Sequence, residues 1–196
     1  MTIDTNDILN SILESISKID YIKPGDIPNI PLYMDQVTTF MDAQLSSSRR
    51  YESDKILTKT MINNYAKNDL LPPPTKKKYD REHLLLLVFI YYFKSLLTIT
   101  DIQALLQPIT EKYFQGNEKL KLEDIYSEVF ELEKEQIEVL KEDITKRYQI
   151  SRETFYQAPE EDQEFLKNFS FICLLSFDAY VKKQIIEKMI DQMKGD

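Results

Sequence analysis

A mainly α-helical protein with one small β excursion is the fold class this chain predicts, on three observations. Only three of 196 residues are glycine, too few for the tight hairpins of a sheet-built fold. Apolar residues recur at three- and four-residue intervals in segment after segment, the spacing of a helix face. One stretch breaks that pattern: Pro72, Pro73 and Pro74 forbid a helix, and Lys76, Lys77 and Lys78 follow after Thr75. With 42% hydrophobic residues, the chain can bury the core of one medium domain or two small ones.

The first element is DILNSILESISKI, residues 7–19, which aligns Ile8, Leu9, Ile12, Ile16 and Ile19 on one helical stripe; Lys23-Pro24-Gly25 ends it. A second helix is expected from Tyr33 to Leu45, with Val37, Phe40, Met41 and Leu45 inward. SSSRRYESD then reads as a polar loop in which Arg49 and Arg50 either touch phosphates or face solvent. From Leu57 the spacing predicts a short amphipathic helix capped by Thr58. Leu57, Met61, Ile62 and Tyr65 lie on one face; Lys59, Thr60, Asn63, Asn64 and Lys67 lie on the other.

After the prolines a helix is expected from Asp80 to Ser95, and Leu84 to Phe93 is nearly apolar all round, as a core helix must be. Thr98 to Asp101 has capping-box spacing and opens a helix over Ile102 to Leu106, which Pro108 is expected to stop. Gln115-Gly116-Asn117 marks a boundary. Beyond it a charged helix carries two apolar stripes, one through Ile125, Leu132 and Val139, the other through Phe130, Ile137 and Ile144. Pro159 and the acids after it open a last helix, whose first half is expected to be buried on nearly all sides. The organisation is thus an N-terminal helix and linker (1–30), a central domain (31–110) and a helical C-terminal region (117–196).

A helix with an amide-and-lysine face, an extended lysine-bearing excursion and a second helix together form the layout of a winged helix-turn-helix. INNYAKNDLLPPP followed by KKKYDREHL resembles the DNA-binding module of MerR-type regulators. That module has an aromatic-rich recognition helix, a Leu-Leu-Pro exit, a basic wing ending in Tyr and an acid-capped helix. TITDIQALL is similar to its next helix. The whole is most similar to an uncharacterised bacterial family, a domain of unknown function with a MerR-like N-terminal half, over Pro31 to Leu106. The resemblance implies double-stranded DNA as partner, transcription regulation, and a homodimer joined through the long helix after the reading head; an intramolecular helical bundle is the equal alternative for that helix. On that layout Thr60, Asn63, Asn64 and Lys67 face the major groove, Lys59, Lys76, Lys77 and Lys78 bind phosphates, Tyr79 buttresses the wing, and Arg81 adds a phosphate contact. The chain departs from the module at three places. Asn63 stands where an arginine is usual, Asp69 stands where a glycine is usual, and the usually short first turn is here the stretch from Leu45 to Ile56.

Charge supports a localised anionic partner. The formal net charge is −8, yet Arg49 to Arg81 holds nine basic against four acidic residues, a local +5. Chance clustering in a solvated loop is the plainer explanation of the same run. The apolar runs Leu84 to Phe93 and Phe169 to Phe177 fall short of the roughly 20 residues that span a bilayer, so no membrane segment is expected. The polar, acidic opening MTIDTND is no secretory signal, and the single Cys173 forms no internal disulfide; a reducing cytoplasm is expected.

Catalysis and metal binding lack a pattern. There is one histidine and no C-x-x-C pair or glycine-rich phosphate loop, so neither an enzyme, a metal nor a cofactor is expected. His83 reads as a capping or core-edge residue. The aromatics Tyr91, Tyr92, Phe93, Phe169, Phe171 and Phe177 read as core rather than as an effector cavity. The alternative function is a protein-interaction module that retains the winged-helix shape without DNA, favoured by Asn63 and by the overall negative charge.

Overall fold

The computed structural model describes residues 5–17 and 22–195, with side chains over 9–16 and 22–195. It is mainly α. The helices are α1 (Thr5–Ser17), α2 (Met34–Gln44), α3 (Lys59–Lys67), α4 (Arg81–Phe93), α5 (Ile99–Tyr113), α6 (Leu122–Arg152) and α7 (Glu160–Lys194). Strands β1 (Leu32–Tyr33) and β2 (Lys78–Tyr79) pair antiparallel, Leu32 opposite Tyr79 and Tyr33 opposite Lys78. No described helix is long and apolar enough to cross a membrane.

The described residues form two compact units. One runs from Ile22 to Glu131 and takes in the end of α7 from Met189. Its centre is α4, where every residue from His83 to Ile90 is buried. An all-round apolar sequence leaves no face for water, so α4 is surrounded. Val37 and Met41 of α2, Ile62 and Tyr65 of α3, Ile102 and Leu106 of α5, and Tyr126 and Phe130 of α6 complete this core. Phe89 stacks on Phe130 with ring centroids 5.6 Å apart, and the Tyr126 hydroxyl donates to the Ile22 carbonyl at 2.7 Å. Ile190 is buried, and Lys194 Nζ lies 2.7 Å from Asp101 Oδ1, which fixes the end of α7 to the first turn of α5.

The other unit joins α1 to Leu132–Lys188. Its buried centre is small: Ile144 and Tyr148 of α6 and Phe171 of α7, with Leu9, Ile12, Leu13, Ile16 and Leu175 packed around them. Leu9, Ile12 and Ile16 belong to the N-terminal stripe expected from spacing. Ile19 and the side chain of Ile8 lie outside the described residues.

Three expectations need correction. Pro108 does not stop α5, which continues to Tyr113 with the proline inside it. The ring sits on the exposed side, and the Thr110 hydroxyl donates to the Leu106 and Gln107 carbonyls in the same turn. The two stripes of α6 have different fates: Phe130 and Ile144 are buried, whereas Leu132 and Val139 are exposed. The first half of α7 is not buried all round. Phe171 is buried, but Phe165, Phe169 and Ile172 are exposed.

The chain leaves α3 through a tight left-handed turn. Asn68 caps the helix, Asp69 takes φ 54°, and the Leu70 N–H donates to the Tyr65 carbonyl at 2.9 Å, the long bond of a Schellman motif. Its apolar partners, Leu70 and Tyr65, are both buried. An L-residue in this left-handed conformation costs about 1 kcal/mol, which glycine avoids. Asp69→Gly should therefore raise stability by about 0.5–1 kcal/mol, measured as a higher urea midpoint at unchanged m-value; a lower midpoint would rule out this backbone assignment.

Candidate nucleic-acid interface

α3 starts where its sequence allows a cap. The Thr58 hydroxyl accepts the Met61 N–H at 3.2 Å, satisfying one of the free donors of the first turn. Burial of Ile62 and Tyr65 then fixes which face turns outward. Lys59, Thr60, Asn63, Asn64 and Lys67 are all exposed. Among the described residues, the Asn63 and Asn64 side-chain amides make no hydrogen bond within the protein. Lys59 is ion-paired with Asp35 at the start of α2, while Lys67 has no ion pair among the described residues.

Beyond the prolines the chain reverses in two residues. Thr75 and Lys78 form an antiparallel bridge, the Lys78 N–H donates to the Thr75 carbonyl at 3.0 Å, and Lys76 and Lys77 take φ 51° and 63°. Positive φ at both central positions is the signature of a type I′ turn, whose twist matches that of paired strands. Both lysines are exposed at the tip. Lys78 is half-buried, with Nζ 5.0 Å from the centre of the Tyr33 ring across the ladder. Both α3 and β2 contact α2, so helix and hairpin share one support.

Tyr79 anchors the hairpin. It is buried, its ring lies 5.4 Å from His83 in an edge-on arrangement, and burial pushes its phenol pKa up. Asp80 and His83 cap α4 reciprocally: Asp80 Oδ1 accepts the His83 N–H at 3.1 Å and lies 2.7 Å from Nδ1. Burial by itself raises the Asp80 pKa. The His83 side chain and backbone N–H, with the Gln115 amide, outweigh it and hold the carboxyl at about 2. His83 therefore serves the cap and the core edge.

Arg81 is not placed for phosphate. Its Nε and one terminal nitrogen grip both oxygens of Glu123 at 3.0 and 2.7 Å. The remaining N–H groups go to the Pro24 and Ile27 carbonyls and to Asn29. All five donors of a guanidinium are thereby used. Glu123 lies 42 residues away, and no sequence spacing points to this clamp. Arg49 is likewise paired with Asp42, while the Arg50 guanidinium lies over the Tyr51 ring. The structure thus brings an exposed amide-and-lysine helix and an exposed lysine tip onto one support, and turns Arg81 inward.

Such a surface offers hydrogen-bonding amides and unshielded ammonium groups, and no nucleophile with a base beside it. Among the described residues no group of three or more His, Cys, Asp or Glu is placed to hold a metal. Phe169 and Phe177 are exposed, and Phe171 packs within the smaller unit.

Residues 22–129 match the family model described as "Domain of unknown function (DUF1836)". No curated protein matches the chain. No solved structure matches it either.

Two outcomes test the support. Arg81→Ala should cost about 1–3 kcal/mol of unfolding free energy, since it leaves Glu123 and two carbonyls without their donor; a loss below about 0.3 kcal/mol would remove the clamp role. Asp80 has a depressed pKa, so its stabilisation is present above its ordinary value near 3.8 and is lost as pH falls toward about 2. Urea midpoints measured across that window should fall less steeply in Asp80→Asn than in the parent; parallel slopes would contradict the assignment.

Proposed function

The chain belongs to the DUF1836 family, and from that premise we propose that it is a sequence-specific binder of double-stranded DNA. In this reading it is a bacterial transcription regulator with a MerR-like winged helix-turn-helix, acting as a homodimer. α3 enters the major groove, with Thr60, Asn63, Asn64 and Lys67 toward the base edges. An asparagine amide matches adenine N6 and N7 together, a pairing that gives about 1–3 kcal/mol of discrimination. Lys76 and Lys77 take flanking phosphates, with Lys78 and Lys59 behind them. Tyr79 holds the wing from inside; Arg81 holds the body together and is left out of the contact set.

One observation carries this reading. Lys76 and Lys77 occupy two successive left-handed positions, where asparagine and glycine are the low-cost residues. Asparagine or glycine would make the same turn without the strain of about 1 kcal/mol per residue that lysine carries there. The lysine charge is what the strain supports, and a polyanion is what such a charge would meet.

The second reading is a protein-interaction module of the same shape. It is favoured by Asp35, which neutralises Lys59 beside the candidate surface, and by the net charge of −8. Salt separates the two. Phosphate contacts from about four lysines give log K against log salt a slope near −3 to −4, whereas a peptide groove read by apolar contacts responds weakly.

Genomic DNA captured on the purified protein at two salt concentrations, then sequenced, supplies the target duplex. On that duplex Asn63→Ala should lose about 1–3 kcal/mol and little on random DNA. Lys77→Ala should weaken both alike and reduce the salt slope by about one. Equal losses for Asn63→Ala on target and random DNA would take base reading away from α3. Absence of any captured sequence at either salt concentration would leave the interaction-module reading in its place.

A further inference from the structure

The stretch between α2 and α3 is longer than a helix-turn-helix needs, and the fold ties it down. Ser46–Ser48 makes a short helical turn, and the Ser48 and Tyr91 hydroxyls share a hydrogen bond. Arg49 pairs with Asp42. Asp54 closes a second turn: its Oδ2 accepts the Tyr51 N–H at 3.0 Å, and its own N–H donates to the Tyr51 carbonyl at 3.0 Å. Ile56 and Leu57 are buried, and Lys94 Nζ donates to the Ile56 carbonyl at 2.7 Å. Ordering a loop costs backbone entropy, so ties at both ends and in the middle hold something in place. What they hold outward is Arg50 and Lys55, both exposed and without an acid partner among the described residues. The Arg50 guanidinium lies 5.2 Å from the centre of the Tyr51 ring. That stacking uses its flat face and leaves the in-plane N–H groups free.

α4 sets the spacing. The lysine tip joins its first turn, because Tyr79 directly precedes the Asp80 cap; residues 48–56 join its last turn through Tyr91 and Lys94. Its 13 residues put these two attachments about 20 Å apart. α3 runs from the one to the other: it opens just after Lys55 and leads through Leu70, Leu71 and the prolines to the tip. A helix seated in a major groove about 12 Å wide has a row of phosphates on either side. The tip serves only one of them. We propose that Arg50 and Lys55 grip the phosphate row on the opposite side of the groove from Lys76 and Lys77, with α3 between. This rests on the DNA reading given above and adds a second line of contact to it. Glu52 and Asp54 balance the two cations in the formal count, so the stretch draws no polyanion from a distance. It acts at contact, once α3 and the tip have brought the backbone in. Glu52 is exposed beside the two cations and opposes that contact.

The test uses the full chain and the captured duplex. Arg50→Gln and Lys55→Gln should each weaken target and random duplex alike by about 3- to 10-fold, and together they should cut the salt slope by about two. Glu52→Gln should tighten both by about 2- to 5-fold. All three residues are exposed, so circular dichroism and the urea midpoint should stay at parent values. Position is read from hydroxyl-radical footprints on the target. The double variant should lose protection on one flank of the α3 site, and Lys77→Ala on the other. A double variant with the parent's footprint and salt slope would overturn this contact set while the DNA reading stands. Loss on the same flank as Lys77→Ala would overturn the straddling arrangement. A parent that captures no duplex would remove both readings together.

Discussion

Three left-handed backbone positions, Asp69, Lys76 and Lys77, none of them glycine, govern how α3 and the lysine tip are presented. The first stops α3 after two turns, and the other two fold the chain back after the prolines. Each costs about 1 kcal/mol, so something must hold them in place. Leu70 and Leu71 are buried just after the first, and Tyr79 just after the pair. Full burial of one such side chain contributes about 1.5–3 kcal/mol, so three of them outweigh the strain. Rigid support then comes from below, through the Asp80–His83 cap and the Arg81–Glu123 clamp.

Much of this was legible in the residues. Helix faces were, because burial has only one stripe to choose: Ile62 and Tyr65 are in, Asn63 and Asn64 are out. Caps were, because Thr58 and Thr98 satisfy backbone donors within their own turn. The all-round apolar run of α4 read correctly as a core helix. Local chemistry is visible locally.

What failed depended on distant partners. Arg81 read as a free cation because Glu123 is far away in sequence, although the two share the support of α4 and α6. Pro108 read as a stop because the rule treats a helix as isolated; with Ile102 and Leu106 already buried, α5 absorbs one missing hydrogen bond. The front half of α7 read as core because apolar residues surround it, yet only neighbours decide exposure, and there Phe171 found them while Phe165 and Phe169 did not.

Charge placement ties shape to use. Acids near the candidate surface hold Lys59 and Arg49, and Glu123 holds Arg81, so the local basic excess is smaller than the sequence count. Lys67, Lys76 and Lys77 remain outward and without an acid partner among the described residues, beside the amides of α3, as do Arg50 and Lys55 earlier in the same run. Whether that set meets a duplex is read most directly from backbone amide resonances while a captured duplex is titrated in. Shifts confined to residues 50–55, 58–67 and 75–79 are the predicted result. Shifts centred elsewhere, or none at saturating duplex, would contradict the account.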